Sequence, residues 1–347
     1  MPSDNGSLSH PSPPPSAGTL WDLPFRPEDA RLVVIPVPWE VTVTFRPGTA
    51  GGPEGILQAS PHVDLYDALY PEAWKKGVAM LPVPGDLKEK GQYLRRLAES
   101  VVEDWQDGPL SPRNRALQDE VNQGCREMVR WVRARSAEVL QAGRLPAVLG
   151  GDHSVPLGLI QALADQDYDF GILQIDAHAD LRESYQGFDF SHASIMFNAL
   201  NCSRVRRLVQ VGVRDYCLEE VERVARESGR VVLVAGRSLW RRCLEGATWA
   251  ELCAEILVDL PDSVYISFDI DGLEPSLCAG TGTPAPGGLM FEQALYLIDA
   301  VVASGRRIVA FDLCEVVPGR DLSDAYIGAR LLYRLSCAAL ESEGDWL

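Results

Sequence analysis

Short apolar runs recur along the chain at Arg31–Pro36, Leu145–Leu149, Phe170–Ile175, Arg207–Val211, Val231–Val234, Val264–Phe268 and Arg307–Phe311. They are rich in Val and Ile and mostly lack alternation with polar residues, as strands buried on both faces do. Between them, Leu117–Gln141, Pro156–Ala164, Leu218–Glu227, Trp249–Leu257, Phe291–Ser304 and Ser323–Leu340 place apolar residues at helical spacing. This rhythm predicts an α/β fold of three α/β/α layers, with a mostly parallel central sheet and helices on both faces. Segment Gly85–Arg115 reads as an insertion, a helix around Leu94–Trp105 followed by a loop containing Pro and Gly. Met1–Gly18 is dominated by Ser, Pro, Gly and Asn and cannot offset the entropy of ordering by burying apolar surface, so a disordered tail is expected over residues 1–18. The remainder, 19–347, is expected to form a single domain.

Composition narrows the function. The chain has 347 residues, 46% of them hydrophobic and 23% charged, enough for one large core. No run approaches the roughly 18 apolar residues of a membrane span, and the N-terminus lacks a basic-then-apolar signal pattern. Cys125, Cys202, Cys217, Cys243, Cys253, Cys278, Cys314 and Cys337 are scattered without a CxxC pair. That usage predicts reduced thiols and a cytoplasmic location. A formal charge of −17 without basic clusters argues against nucleic acid and suits a cationic ligand.

In parallel sheets of this kind, ligands bind beyond the carboxyl ends of the strands. Four of the runs end in acids and imidazoles: Gly150-Gly151-Asp152-His153-Ser154, Asp176-Ala177-His178-Ala179-Asp180, Asp269-Ile270-Asp271 and Asp312-Leu313-Cys314-Glu315. A single such motif is more often a helix cap or a solvated turn. Together, Asp176, Asp180, Asp269 and Asp271 would crowd four carboxylates that cannot share a site ionised without cations. With His153 and His178 the donor set mixes oxygen and nitrogen. It favours Mn²⁺, with Fe²⁺, Co²⁺, Ni²⁺ or Zn²⁺ also acceptable, over Ca²⁺ cages and thiolate zinc sites. Six ligands exceed what one ion with open positions would take, so two ions are expected.

These motifs (GGDHS, DAHAD and SFDID), with EVVPGRD downstream, PVPWEVTVTFRPGTAGGPEGI upstream and GTGTPAPGG at 280–288, resemble the ureohydrolase family of arginases and agmatinases, in its agmatinase-like branch. The resemblance runs from about Val33 to the C-terminus. It implies one Mn²⁺ on His153, Asp176, Asp180 and Asp269 and another on Asp176, His178, Asp269 and Asp271, the carboxylates of Asp176 and Asp269 bridging. It implies a bridging hydroxide that attacks a guanidinium carbon to release urea and an amine. Asp180 would orient the attack and carry the proton, Glu315 would clasp the guanidinium, and His192 would shuttle protons. Assembly as a homo-oligomer, a trimer or hexamer, is a further implication.

Some positions depart from the family pattern. Glu274-Pro275 stands where Asp-Pro is common, and Ala279 replaces a frequent proline. Arg182 occupies the position where arginases carry an asparagine for the amino acid end of arginine, which turns the reading towards agmatine or another small guanidino compound. The same chemistry on free guanidine, a guanidino acid or arginine stands second. A deacetylase-like amidohydrolase or a silent metal-binding protein stands third.

Overall fold

The computed structural model describes residues 18–107 and 110–344. Its centre is an eight-stranded sheet, every pairing parallel, in the order β2-β1-β3-β8-β7-β4-β5-β6. The strands are β1 Leu32–Val37, β2 Val78–Met80, β3 Leu145–Gly150, β4 Phe170–Ile175, β5 Val205–Val211, β6 Val231–Val234, β7 Ser263–Asp269 and β8 Arg307–Cys314. The helices are α1 Gly52–Ala59, α2 Gly85–Asp107, α3 Pro112–Gln141, α4 Leu157–Ala164, α5 Ile195–Ala199, α6 Leu218–Arg226, α7 Gly236–Leu244, α8 Trp249–Val258, α9 Phe291–Ala303 and α10 Ser323–Ser342.

The strands read as continuous apolar runs because both faces are covered. In β1, Leu32 and Val34 enter one core and Val33 and Ile35 the other. The first core packs under α8, α9 and α10; the second packs under α3, α4 and α5. Each fully buried Val, Ile or Leu contributes about 1.5–3 kcal/mol. A sheet this deep can therefore hold strained and polar groups at its rim.

The structure departs from the sequence expectation in places. The segment expected to be an insertion over Gly85–Arg115 is the whole of α2 and the start of α3, because Ser111 caps a helix that begins at Pro112, accepting from Asn114 N at 3.2 Å. Edge strand β2 was too short to show a pattern. Helix α7 buries only Gly236 and Leu239, which left little apolar signal among its arginines. The tail expected over residues 1–18 lies, except for exposed Gly18, outside the described residues; ordered packing starts with buried Leu20 and Trp21.

The connectivity positions the site. The chain lays down β1 to β3 on one side, jumps to β4, β5 and β6, and then returns β7 and β8 into the gap. The four strands whose ends carry acids and imidazoles, β3, β8, β7 and β4, are thus adjacent in the middle of the sheet. Among the described residues no helix is long and apolar enough to cross a membrane.

Candidate metal centre

His153 follows β3 through Gly150 and Gly151. A Cβ on Gly151 would lie 2.0 Å from the carbonyl oxygen of Trp39, so the residue is dictated by the close approach of the chain leaving β1. Asp176, His178 and Asp180 follow β4, Asp269 ends β7 with Asp271 just beyond, and Glu315 follows β8. His153 Nδ1 lies 3.0 Å from Asp176 Oδ2, 3.0 Å from Asp180 Oδ2 and 3.4 Å from Asp269 Oδ2. Its Nε2 lies 2.9 Å from Ser267 Oγ, and a proton there leaves the Nδ1 lone pair facing the carboxylates. Beside this group, His178 Nδ1 lies 3.1 Å from Asp271 Oδ2 and 3.5 Å from Asp176 Oδ1.

Two sets of donor atoms therefore converge, His153, Asp176 and Asp269 in one and Asp176, His178 and Asp271 in the other, with all atoms of a set within 4.8 Å of one another. Asp176 belongs to both. Asp269 joins only the first set at this spacing, and Asp180 approaches that set through its contact with His153.

Without cations, the carboxylates gathered here outnumber the two imidazoles that face them. Burial and then repulsion from Asp271 and Asp176 push the Asp269 carboxyl well above the usual carboxylate range. Burial and then Asp176 raise Asp180 to about 7. Burial and then Asp152 push Glu315 well up. Against burial, hydrogen bonds with His153 and His178 hold Asp176 low. Also against burial, Asp176 and Asp180 raise the His153 imidazole, and Asp271 and Asp176 raise that of His178. A single imidazole nitrogen can offer one proton, yet three carboxylate oxygens surround His153 Nδ1. Divalent cations are what this donor set fits, by chemistry and by charge.

Two of the site residues sit in strained backbone. Asp180 has φ 55° and Glu315 φ 66°, in the left-handed region that non-glycine residues avoid. Such positions cost on the order of 1–3 kcal/mol each and persist where surrounding structure enforces them. At Glu315 the enforcing bonds are visible: its N–H donates to Gly151 O at 2.8 Å, and its Oε1 accepts from His153 N at 2.8 Å. The twist aims the carboxylate into the cleft.

Of a layer beneath the metal centre, sequence reasoning named only Asp312 and missed the rest. Gln210, Gln174, Ser267 and Asp312 lie in register across β5, β4, β7 and β8, all four fully buried. Gln174 Nε2 donates to Asp176 Oδ2 at 2.7 Å, and Gln210 Nε2 donates to Gln174 Oε1 at 2.6 Å. Tyr265 OH donates to Asp312 Oδ2 at 2.5 Å, behind the Ser267 that meets His153. Each of the four polar residues interrupts or closes an apolar run, and that interruption was the available signal.

A cavity of about 160 Å³ opens over the centre. His153, His178, Asp180, Asp269 and Glu315 line its floor, and Thr44, Arg182, Tyr185, His192, Asp215, Tyr216 and Glu220 stand around it. His192 begins a 3₁₀ turn capped by Ser191, with Thr42 Oγ1 at 3.5 Å from its Nδ1. Burial and then the cationic His178 and His153 push its imidazole down to about 3. Arg182 lies over the Tyr185 ring at 5.0 Å, and Tyr185 in turn meets His192 edge-on at 5.9 Å. Among the described residues Arg182 has no ion-pair partner.

Residues 30–337 match the model of the arginase family. The chain is 34% identical over 312 residues to the N(1)-aminopropylagmatine ureohydrolase of Thermus thermophilus, covering 90% of each protein. It is 34% identical over 221 residues to the guanidinobutyrase of Pseudomonas aeruginosa, covering 61% of this chain and 66% of that one. Among solved structures, the agmatine ureohydrolase of Thermoplasma volcanium shares the fold with a TM-score of 0.72 at 22% identity, over 96% of this chain and 97% of that one.

Proposed function

The chain belongs to the arginase family, and on that premise we propose that it is a binuclear-metal amidinohydrolase which cuts a guanidino C–N bond of a small cationic, agmatine-like compound to urea and an amine. The observation that carries this reading is the meeting of His153 Nδ1 with Asp176, Asp180 and Asp269 at 3.0, 3.0 and 3.4 Å, on the rim that also bears Glu315. In this reading His153, Asp176, Asp180 and Asp269 hold one divalent cation, and Asp176, His178, Asp269 and Asp271 hold the other. Mn²⁺ suits these donors, with Ni²⁺ or Co²⁺ as alternatives. When bound, such a pair supplies the Lewis acidity that makes hydroxide available from water near neutral pH.

The side chains of the protein do the rest. Glu315, its Oε1 already engaged by the His153 N–H, keeps Oε2 to accept from the planar N–H fork of a guanidinium. That grip fixes the guanidinium carbon over the strand ends. Asp180 accepts the hydrogen bond of the attacking water, orients it and carries its proton towards the leaving nitrogen. Water oxygen adds to the guanidinium carbon, the bond to the alkyl-bearing nitrogen breaks, and that nitrogen leaves as the protonated amine while the carbon leaves as urea. His192, at the wall of the cleft, takes up and passes on protons. We read residues 19–347 as one catalytic domain behind a tail, in a cytoplasmic homo-oligomer, a trimer or hexamer.

A second reading, a guanidino acid as substrate, is favoured by Arg182, whose guanidinium lines the cleft over Tyr185 and has no ion-pair partner among the described residues. A substrate carboxylate would complete a bidentate pair with it. The test is urea release by protein loaded with Mn²⁺ or Ni²⁺ from agmatine, guanidine, 4-guanidinobutyrate and arginine. Urea from agmatine supports the first reading, and urea from 4-guanidinobutyrate alone supports the second. No urea from the four compounds with either metal overturns both.

A further inference from the structure

The floor of the cleft rests on the sheet, but two of its walls are loops, and both are held from behind by the α2–α3 hairpin. One loop leaves β1 and carries Thr42, near His192, and Thr44, in the cavity wall. Arg95 of α2 reaches this loop with Nη1, which donates to the carbonyls of Val41 and Val43 on either side of Thr42. Its Nε, 3.1 Å from Glu99 Oε1, is tied to the helix. The other loop carries Arg182, Tyr185 and His192. Asn122 of α3, itself buried, grips this loop with both ends of its amide: Nδ2 donates to Gly187 O at 3.0 Å, and Oδ1 accepts from Asp189 N at 3.0 Å. Gly187, at φ 80°, lies so close to the hairpin that a Cβ would clash with Gln118 of α3 and come within 2.9 Å of Trp105 of α2.

We propose that the α2–α3 hairpin is a clamp that sets the two loops bearing Thr42, Thr44 and His192, with Arg95 and Asn122 as its positioning residues. Neither residue is among the metal donors, and neither lines the cavity. Both act through backbone groups, so an isolated change of either side chain should loosen a wall and leave the floor in place. Losing a hydrogen bond of this kind, charged at Arg95 and paired at Asn122, corresponds to about tenfold to a hundredfold in the quantity it controls. The activity arm of the test rests on the amidinohydrolase reading; the exchange and metal arms do not.

The experiment compares Arg95→Met and Asn122→Leu with wild type in three measurements: kcat/KM for agmatine, bound Mn²⁺ per chain, and amide hydrogen exchange in peptides covering residues 40–45 and 183–191. The clamp predicts kcat/KM lower by about tenfold or more, exchange faster by about tenfold or more in the loop gripped by the altered residue, and bound metal unchanged. Arg95→Lys, which keeps a cationic donor, and Asn122→Asp, which keeps the acceptor for Asp189 N, should each recover part of both losses. Arg133→Met serves as the comparison, since on α3, the helix of Asn122, it pairs with exposed Asp165 away from the cleft. It should match wild type throughout. Equal losses in Arg133→Met, or unchanged exchange in Arg95→Met and Asn122→Leu, would overturn the clamp. Should wild type release no urea from agmatine, the amidinohydrolase reading fails on its own, and exchange with metal content still decides the clamp.

Discussion

Replacing Asp271 by Asn should separate the two halves of the metal centre. Asp271 belongs to the set with Asp176 and His178 and not to the set around His153. Its Oδ1 accepts from Ala177 N at 3.1 Å, and its Oδ2 meets Thr283 Oγ1 at 3.3 Å. An asparagine keeps the first bond through its own Oδ1 and can donate to the threonine oxygen, so the turn after β7 should survive. What disappears is one negative charge facing a cation. At about 4 Å and an effective dielectric of about 20, a pair of unit charges interacts with about 4 kcal/mol, which is about a thousandfold in affinity for the second ion. Metal analysis of the purified variant should find one ion per chain where wild type binds two. Urea release should fall by about three decades or more because the chemistry needs both ions. The melting temperature should move by only a few degrees. Two bound ions with retained activity would refute the assignment of Asp271, and loss of both ions would show that the first ion is not held without it.

Other outcomes follow from the same geometry. Glu315→Gln should keep both ions yet lower kcat/KM for agmatine by about tenfold to a hundredfold, chiefly through KM, because a neutral amide grips a guanidinium less well; steady-state kinetics with metal analysis check this. Gly151→Ala should destabilise the fold by about 2 kcal/mol or more, since the new methyl would meet the Trp39 carbonyl, and urea denaturation at constant m-value measures it. Arg182→Gln should leave agmatine turnover within about threefold and abolish any turnover of 4-guanidinobutyrate; kinetics on the two substrates separate these, and equal losses on both would remove Arg182 from substrate choice.

The parts of this architecture that were legible in the sequence are those governed by burial. Residues that lie under helices on both faces must be apolar, and so β4 and β6 appear at Phe170–Ile175 and Val231–Val234, as their apolar runs predict. Because ligands gather at strand ends, the acids and imidazoles following four runs point to one rim from the sequence alone. What the pattern could not supply is which strands become neighbours. The return of β7 and β8 into the gap between β3 and β4 is a tertiary choice, and it alone puts Asp269, Asp271 and Glu315 beside His153 and Asp176. The clamp escaped for a different reason. Arg95 and Asn122 are ordinary polar residues on long helices, and only the path of the loops past them shows what their donors meet. Likewise, the left-handed backbone of Asp180 and Glu315 is imposed by surrounding bonds and leaves no trace in composition.

The charge of the molecule suits a cationic substrate. A formal charge of −17 draws small cations towards the surface at low ionic strength, and the acids buried in the cleft are the proposed metal ligands. The groups nearer a bound substrate are Glu315 on the floor and Arg182, Asp215 and Tyr216 around the mouth, and the proposed selectivity rests with them.

The central claim is that two metal ions acting together make this protein release urea from a guanidino compound. Stripping the protein of metal and titrating Mn²⁺ back while following urea release from agmatine tests it most directly. Activity should climb to a plateau at two equivalents per chain. A plateau at one equivalent, or no urea at any ratio, would contradict it.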